Sequence, residues 1–371
     1  MKFDRMLIEK ESPEEYGYQK IKHNLSESSV KDINIDDLHV NLKNFLLCYG
    51  PHKGKKELRE LIAKEYENFS PEHVLVTNGA AEALFIVALS LLETGDHVVI
   101  EHPNYPSNYR VPKFIGCKIV PLELRLENKF EVDLNELENL VTRKTKFVSL
   151  TNPNNPTGSV ISEKTLKEII RIVESRDCYL VSDETYHDLT FNNQLPHAAS
   201  LSSKAISISS LSKAYGAPGI RIGHIAVRDN ALIESFLALK EHINICNSVV
   251  DEEIAIALLE NKNKIMKNVK NHVKTNFGIL KDWLKVQKGL EYVEPKGGVV
   301  CFPRIKNDVQ LKLQAFYEVL LEKYSTMVGR GRWFDMDDKY FRIGYGWPSK
   351  ESLKRGLENI TRALEEVKNA D

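Results

Sequence analysis

Cysteine is scarce in this chain of 371 residues: five in all, at Cys48, Cys117, Cys178, Cys246 and Cys301. The count is odd, the spacing is wide and no CxxC pair occurs. That argues against a disulfide framework and a zinc site, and reads as plain buried thiols. The histidines form no HExxH or other metal-ligand spacing, so no metal is expected. Net charge is also missing. Lysine and arginine total 51 against 52 acidic residues, a formal charge of -1, which offers no basic field to a nucleic acid and no polybasic patch to a membrane. Long apolar runs are absent too: the stretch from Ala83 to Leu92 falls well short of the roughly 20 residues that cross a bilayer. The N-terminus is charged throughout and has no apolar signal-peptide core. The reading is a cytoplasmic protein with small-molecule partners, no nucleic acid and no membrane.

What is present is ordinary globular composition, 42% hydrophobic and 28% charged, which excludes disorder, collagen and coiled coil. At about 150 residues per domain the length suggests two or three domains, enough to bury a large core without staples. No repeat, low-complexity tract or Gly/Ser/Pro-rich linker divides the chain, so the domains are expected to interleave.

Leu58, Leu61, Ile62 and Tyr66 fall at helical spacing over 55–68, ended by Ser70-Pro71. Val74 to Thr77 reads as a strand that meets Asn78-Gly79 and then an apolar helix over 81–92. Strands follow at 97–101, 118–121, 146–150, 179–182 and 205–209, with helices from Pro106, at 133–141 and at 162–174. This alternation predicts a parallel α/β sheet with helices on both faces and ligands beyond the carboxyl ends of its strands. After Val227 the pattern is mostly helical, including an amphipathic stretch at 265–284 that could join two domains. From about Gly289, strands at 299–302 and 340–345 mix with helices at 309–324 and 349–367, a smaller α+β domain.

The strongest chemical signal is Ser210-Leu211-Ser212-Lys213-Ala214-Tyr215-Gly216-Ala217-Pro218-Gly219-Ile220-Arg221-Ile222-Gly223, after an apolar strand. A single lysine crowded by small residues suits a Schiff base with an aldehyde cofactor, with Ser210 and Arg221 as phosphate ligands. Here the sequence resembles the class I/II aminotransferases, the fold type I pyridoxal-phosphate enzymes, from about Leu46 to the C-terminus. Asn152-Pro153-Asn154-Asn155-Pro156-Thr157-Gly158 matches the family's NPxNPTG loop. Asp183-Glu184-Thr185-Tyr186 matches its D-x-x-Y.

The resemblance implies pyridoxal 5'-phosphate as cofactor and a seven-stranded, mostly parallel sheet between helices, with a smaller α+β domain. The large domain would span residues 50–289, and the small one would join 1–49 to 290–371. By the same resemblance Asp183 faces the pyridine nitrogen, and Asn155 and Tyr186 flank the phenolic oxygen, Asn155 also touching substrate. Ala80 and Ala81, at a helix start, offer backbone amides to the phosphate; they stand where many relatives carry a hydroxyl or amide side chain. Tyr105 matches the aromatic residue that stacks on the ring. Tyr49 matches the tyrosine that reaches the phosphate of a neighbouring subunit, which implies a homodimer with shared sites. Arg342, in Phe341-Arg342-Ile343-Gly344, matches the arginine that forks onto the substrate α-carboxylate.

The implied activity is transamination in amino acid metabolism or biosynthesis, from an L-amino acid to a 2-oxo acid through a Lys213 Schiff base. The runner-up keeps the fold and cofactor but eliminates, replaces or cyclises. A third reading, a ligand-sensing regulator on the same scaffold, needs a DNA-binding extension, and no recognition helix is evident ahead of Tyr49. One departure stands out. Asn24-Leu25-Ser26-Glu27-Ser28-Ser29 occupies the place where many relatives carry a small apolar segment ending in Gly-x-Pro. Glu27 reads chiefly as a solvated loop acid, with a contact to a basic substrate group as the sharper alternative. Arg330, Arg332 and Trp333 are expected in a loop ahead of the Arg342 strand, without an assigned role.

Overall fold

The computed structural model describes residues 3–191, 195–309 and 311–368. After a short first strand, β1 (His23–Leu25), seven strands build the large sheet: β2 (Val74–Thr77), β3 (His97–His102), β4 (Lys118–Glu123), β5 (Thr145–Thr151), β6 (Tyr179–Asp183), β7 (Ala205–Ser210) and β8 (Gly223–Ala226). Their spatial order is β2-β8-β7-β6-β5-β3-β4. Only β8 runs against its neighbours β2 and β7; the other pairings are parallel.

The parallel strands are apolar because helices cover both faces. In β3, Val98 and Ile100 point into a core shared with Ala83, Ile86 and Val87, while Val99 points into the opposite core with Ile169, Val173 and Leu180. A period of two thus divides one strand between two layers. The helix at Glu163–Ser175 shows the matching helical stripe, burying Leu166, Ile169, Ile170, Ile172 and Val173. Its Ser162 cap accepts from the Thr165 amide, as its sequence favours.

A second sheet has the order β1-β12-β13-β10, from β10 (Val300–Cys301), β12 (Thr326–Arg330) and β13 (Phe341–Gly344). A two-stranded ribbon pairs β9 (Leu290–Glu291) with β11 (Arg304–Ile305). The long helix spans Lys262–Lys285 and packs on the helix at Lys350–Lys368, with Trp283 Nε1 donating to Thr361 Oγ1 at 2.9 Å.

Most expected elements of the large sheet appear within two residues of their predicted bounds; five stretches of the chain differ. The helix expected over 55–68 stops at Ala63, because Tyr66 turns inward to meet His224 Nε2 at 2.8 Å and to stack on His197. Strand β8 has no counterpart in the sequence reading: it is four residues long, begins with glycine and follows β7 with no intervening α-helix. Strands β1 and β12 were likewise not expected, and Arg330 ends β12 rather than lying in a loop, with Arg332 and Trp333 in the 3-10 turn after it. The helix expected at 309–324 is Leu313–Glu318, continued by a π turn; residue 310 lies outside the described residues.

Candidate active site

The carboxyl ends of β2, β5, β6 and β7 open into one cavity of about 340 Å³. Ala80, Ala81, Tyr105, Asn155, Asp183, Tyr186, Ser210, Lys213, Arg221 and Arg342 all line it. Of the sequence-derived site residues, only Tyr49 stays outside: its side chain is 82% exposed, away from this chain's cavity.

Each group is held by its local chain. Beyond β2, the helix at Gly79–Leu91 starts at the cavity, so its first-turn amides have no intrahelical acceptor. A Cβ on Gly79, at φ +77°, would lie 2.6 Å from Arg221 Nη2, and one on Gly223 would lie 2.5 Å from the Gly79 carbonyl carbon. Both glycines therefore let Arg221 reach the helix start. Arg221 Nη1 donates to Ser212 Oγ at 3.3 Å. Two serine hydroxyls, a guanidinium and free amides form a cradle whose chemistry suits a phosphate.

Beyond β5, Asn152 ties the motif loop to Ile161 through both ends of its amide, at 3.2 and 2.9 Å. Asn154 accepts from the Thr157 amide and hydroxyl. That leaves Asn155 Oδ1 to accept from Arg342 Nη1 at 2.8 Å. Arg342 Nη2 donates to the Ser26 carbonyl at 2.6 Å. Its Nε is buried and has no hydrogen-bond partner, so the fork has an unmet donor to offer. Tyr105 enters from the end of β3, where Asn104 Oδ1 accepts from Thr151 Oγ1 at 2.7 Å, and its hydroxyl donates to Glu9 at 3.1 Å.

Asp183 ends β6, and its Oδ1 accepts from the Thr185 hydroxyl at 2.6 Å. Burial pushes its carboxyl up despite those bonds, so a cation beside it would be strongly favoured. Lys213 Nζ meets Glu27 Oε1 at 3.3 Å. Burial alone would push the lysine down, but the Glu27 carboxylate together with the Tyr186 and Tyr105 hydroxyls outweighs it and the ammonium is raised. Burial would raise Glu27, yet Lys213 and Arg342 hold it below the usual carboxylate range.

Glu27 corrects the sequence reading. Its side chain is only 19% exposed and lines the cavity, because its segment leaves β1 beside β12 and lies against Gly344 of β13, where a Cβ would fall 1.7 Å from the Glu27 carbonyl oxygen. Ser212, Trp333, Glu9 and Glu14 also line the cavity. Ser212 was legible as the hydroxyl next to Lys213; Glu9 and Glu14 sit on two four-residue helices with no distinguishing pattern. Trp333 Nε1 donates to Glu11 at 2.7 Å, and Arg332 pairs with the same carboxylate. Arg330 pairs with Asp338 at 2.5 Å; neither arginine lines the cavity.

A lysine amine, a buried acid at a strand end and an anion cradle on a seven-stranded α/β sheet define a fold type I pyridoxal-phosphate enzyme. The chain belongs to the family described as aminotransferase class I and II, which its residues 22–360 match, and it is a pyridoxal-phosphate-dependent transaminase. An aspartate aminotransferase of Pyrococcus horikoshii is 32% identical over 327 residues, covering 85% of this chain and 83% of the relative. Among solved structures, a PLP-dependent aminotransferase from Streptococcus suis superposes with a TM-score of 0.92 at 28% identity, covering 99% of each chain. The PLP-dependent cyclase OrfR superposes with a TM-score of 0.91 at 25% identity, covering 99% of this chain and 98% of its own. Among the described residues no helix is long and apolar enough to cross a membrane.

Proposed function

We propose that this transaminase carries the amino group of an L-amino acid to a 2-oxo acid with Lys213 as its cofactor-holding and proton-moving residue. The observation behind this reading is the convergence of Lys213, Asp183 and Arg342, from separate parts of the chain, on one cavity. Bound pyridoxal phosphate supplies an aldehyde that condenses with amines and a ring that takes up the electron pair left by a departing α-proton. The chain does the rest. Ser210, Ser212, Arg221 and the amides of Ala80 and Ala81 hold the phosphate. Asp183 keeps the ring nitrogen protonated, because a buried carboxylate and an adjacent cation each favour the other's charge. Asn155 and Tyr186 hydrogen-bond the phenolic oxygen, and Tyr105 supplies an aromatic face. Arg342 and Asn155 fix the substrate α-carboxylate. Lys213 Nζ, set free by the incoming amine, would remove the α-proton and return it to the carbon of the cofactor's aldehyde group, on the far side of the amino nitrogen.

Three further parts of the reading rest on particular residues. Leu46, Leu47 and Tyr49 are 77%, 79% and 82% exposed, a large apolar surface that favours a homodimer in which Tyr49 reaches the partner's phosphate site. The pairing of β1 with β12 supports joining residues 1–49 to 290–371 as a small domain beside 50–289. Five free thiols suit a reducing compartment such as the cytoplasm.

The test mixes cofactor-loaded protein with donor amino acids and 2-oxo acids and follows both products. The expected result is equal formation of the donor's 2-oxo acid and the acceptor's amino acid. Ammonia or a ring product in their place would overturn transamination and favour cyclisation or elimination, a second reading supported by the likeness to a PLP-dependent cyclase.

A further inference from the structure

The cavity holds more acid than the roles above use. Its lining cations among the described residues are Lys213, Arg221 and Arg342, and its acids are Asp183, Glu9, Glu14 and Glu27. In the loaded enzyme Lys213 is joined to the cofactor, Arg221 faces the phosphate, Arg342 the α-carboxylate and Asp183 the ring nitrogen. All three cations are then taken, and three glutamates remain. A substrate with a side-chain carboxylate would meet those glutamates with no cation of this chain left to answer it, and like charges in a partly desolvated cavity repel.

We propose that the site selects an amino acid carrying a second cation on its side chain, a guanidinium or an ammonium, recognised by Glu27 with Glu9 and Glu14. The proposal rests on the transaminase reading and names the substrate class of that same site. Glu27 is the acid that lies beside Lys213. Its carboxylate already binds a cation, Lys213 Nζ at 3.3 Å, and while that nitrogen is bonded to the cofactor, as it is when a substrate arrives, it cannot pair with Glu27 as a free ammonium. A largely buried carboxylate that has lost one of its two cations, Lys213 and Arg342, is costly, so a substrate cation that replaces the lysine is favoured.

The segment is also built to hold its position. Ser26 gives both its amide and its hydroxyl to Asn24 Oδ1, at 3.0 and 2.7 Å. Glu27 Oε1 accepts from the Ser28 amide at 2.8 Å, and the Val30 amide donates to the Lys213 carbonyl at 3.0 Å. Such preorganisation removes ordering cost from substrate binding. A separate observation marks where the other end of the ligand sits: the buried Nε of Arg342 without a partner, on the same cavity. One substrate with a carboxylate at one end and a cation at the other satisfies both.

The experiment follows the change in cofactor absorbance in a single turnover, so no acceptor is needed. It compares L-arginine with its uncharged isostere L-citrulline, and L-lysine with L-norleucine, with L-aspartate as the opposite charge. The expected kcat/KM favours at least one cationic member over its neutral partner by about 100-fold, as a charged hydrogen-bonded pair supplies, and L-aspartate is the poorest. The E27Q variant lowers that ratio about tenfold or more; because any effect on Lys213 acts on both substrates, the ratio isolates recognition. If E27Q does not load cofactor, E9Q and E14Q are read in the same way. Amino acids that react with no preference for the cationic members, or a ratio unmoved by these variants, overturn the specificity and leave the transaminase standing. If no amino acid changes the absorbance, the underlying reading itself fails.

Discussion

Arg342 is 3% exposed and lies in a strand whose four residues are all buried, a position that apolar side chains normally hold. Its fork explains the exception: one arm on Asn155, one on Ser26, and a third donor unmet. Lysine keeps the charge but loses the planar geometry. R342K is therefore expected to raise KM for the amino acid about 10- to 100-fold, with a smaller change in kcat; steady-state kinetics that leave KM unchanged would contradict the assignment. Glu101 offers a residue-scale prediction about stability. It sits within the large sheet, 1% exposed, and accepts from the Thr151 amide at 2.7 Å. Burial pushes it from 4.5 up to about 8. The folded value lies above the unfolded one, so its contribution is fully present below 4.5 and is lost as pH rises through about 8. E101Q, which resembles the protonated acid, should gain stability over the parent as pH rises across that window, by up to about 5 kcal/mol. Denaturant unfolding at both ends of the window checks this; an advantage that does not grow with pH would contradict it.

At the scale of elements, strand β13 decides where Glu27 lies. A Cβ at Gly344 would fall 1.7 Å from the Glu27 carbonyl oxygen, and a backbone atom cannot give way as a side-chain tip can. G344A should push the 24–29 segment off the strand, lowering Tm by several degrees, on the order of 2 kcal/mol, with a larger loss of activity; a variant with parental Tm and activity would show that the close approach is dispensable. This contact also explains what was legible in the sequence. Lys213, Asp183 and Asn155 follow apolar strands in motifs whose chemistry has few other uses, so their elements and their convergence could be read from order alone. Glu27 could not: it depends on β1 pairing with β12 about 300 residues later, and β1 is a polar three-residue strand that periodicity does not reveal. Strand β8 escaped because antiparallel entry without a crossover helix breaks the alternation that identified its neighbours. Glu9 and Glu14 escaped because four-residue helices carry too little pattern to place.

At the scale of the molecule, near-zero net charge hides a site of separated charges: Lys213, Arg221 and Arg342 line one cavity with Asp183, Glu9, Glu14 and Glu27. Neutrality of the sum excluded polyanion binding but said nothing of these local fields. Leu46, Leu47 and Tyr49 are exposed, and the proposed dimer would cover them. Sedimentation equilibrium is expected to give twice 42.4 kDa, and a mass of one chain at micromolar concentration would contradict the shared site. The central claim concerns one lysine among many. Borohydride reduction of the cofactor-loaded protein, followed by peptide mass mapping, is predicted to fix the cofactor on the peptide that contains Lys213; a label on any other lysine, or none, would contradict the account.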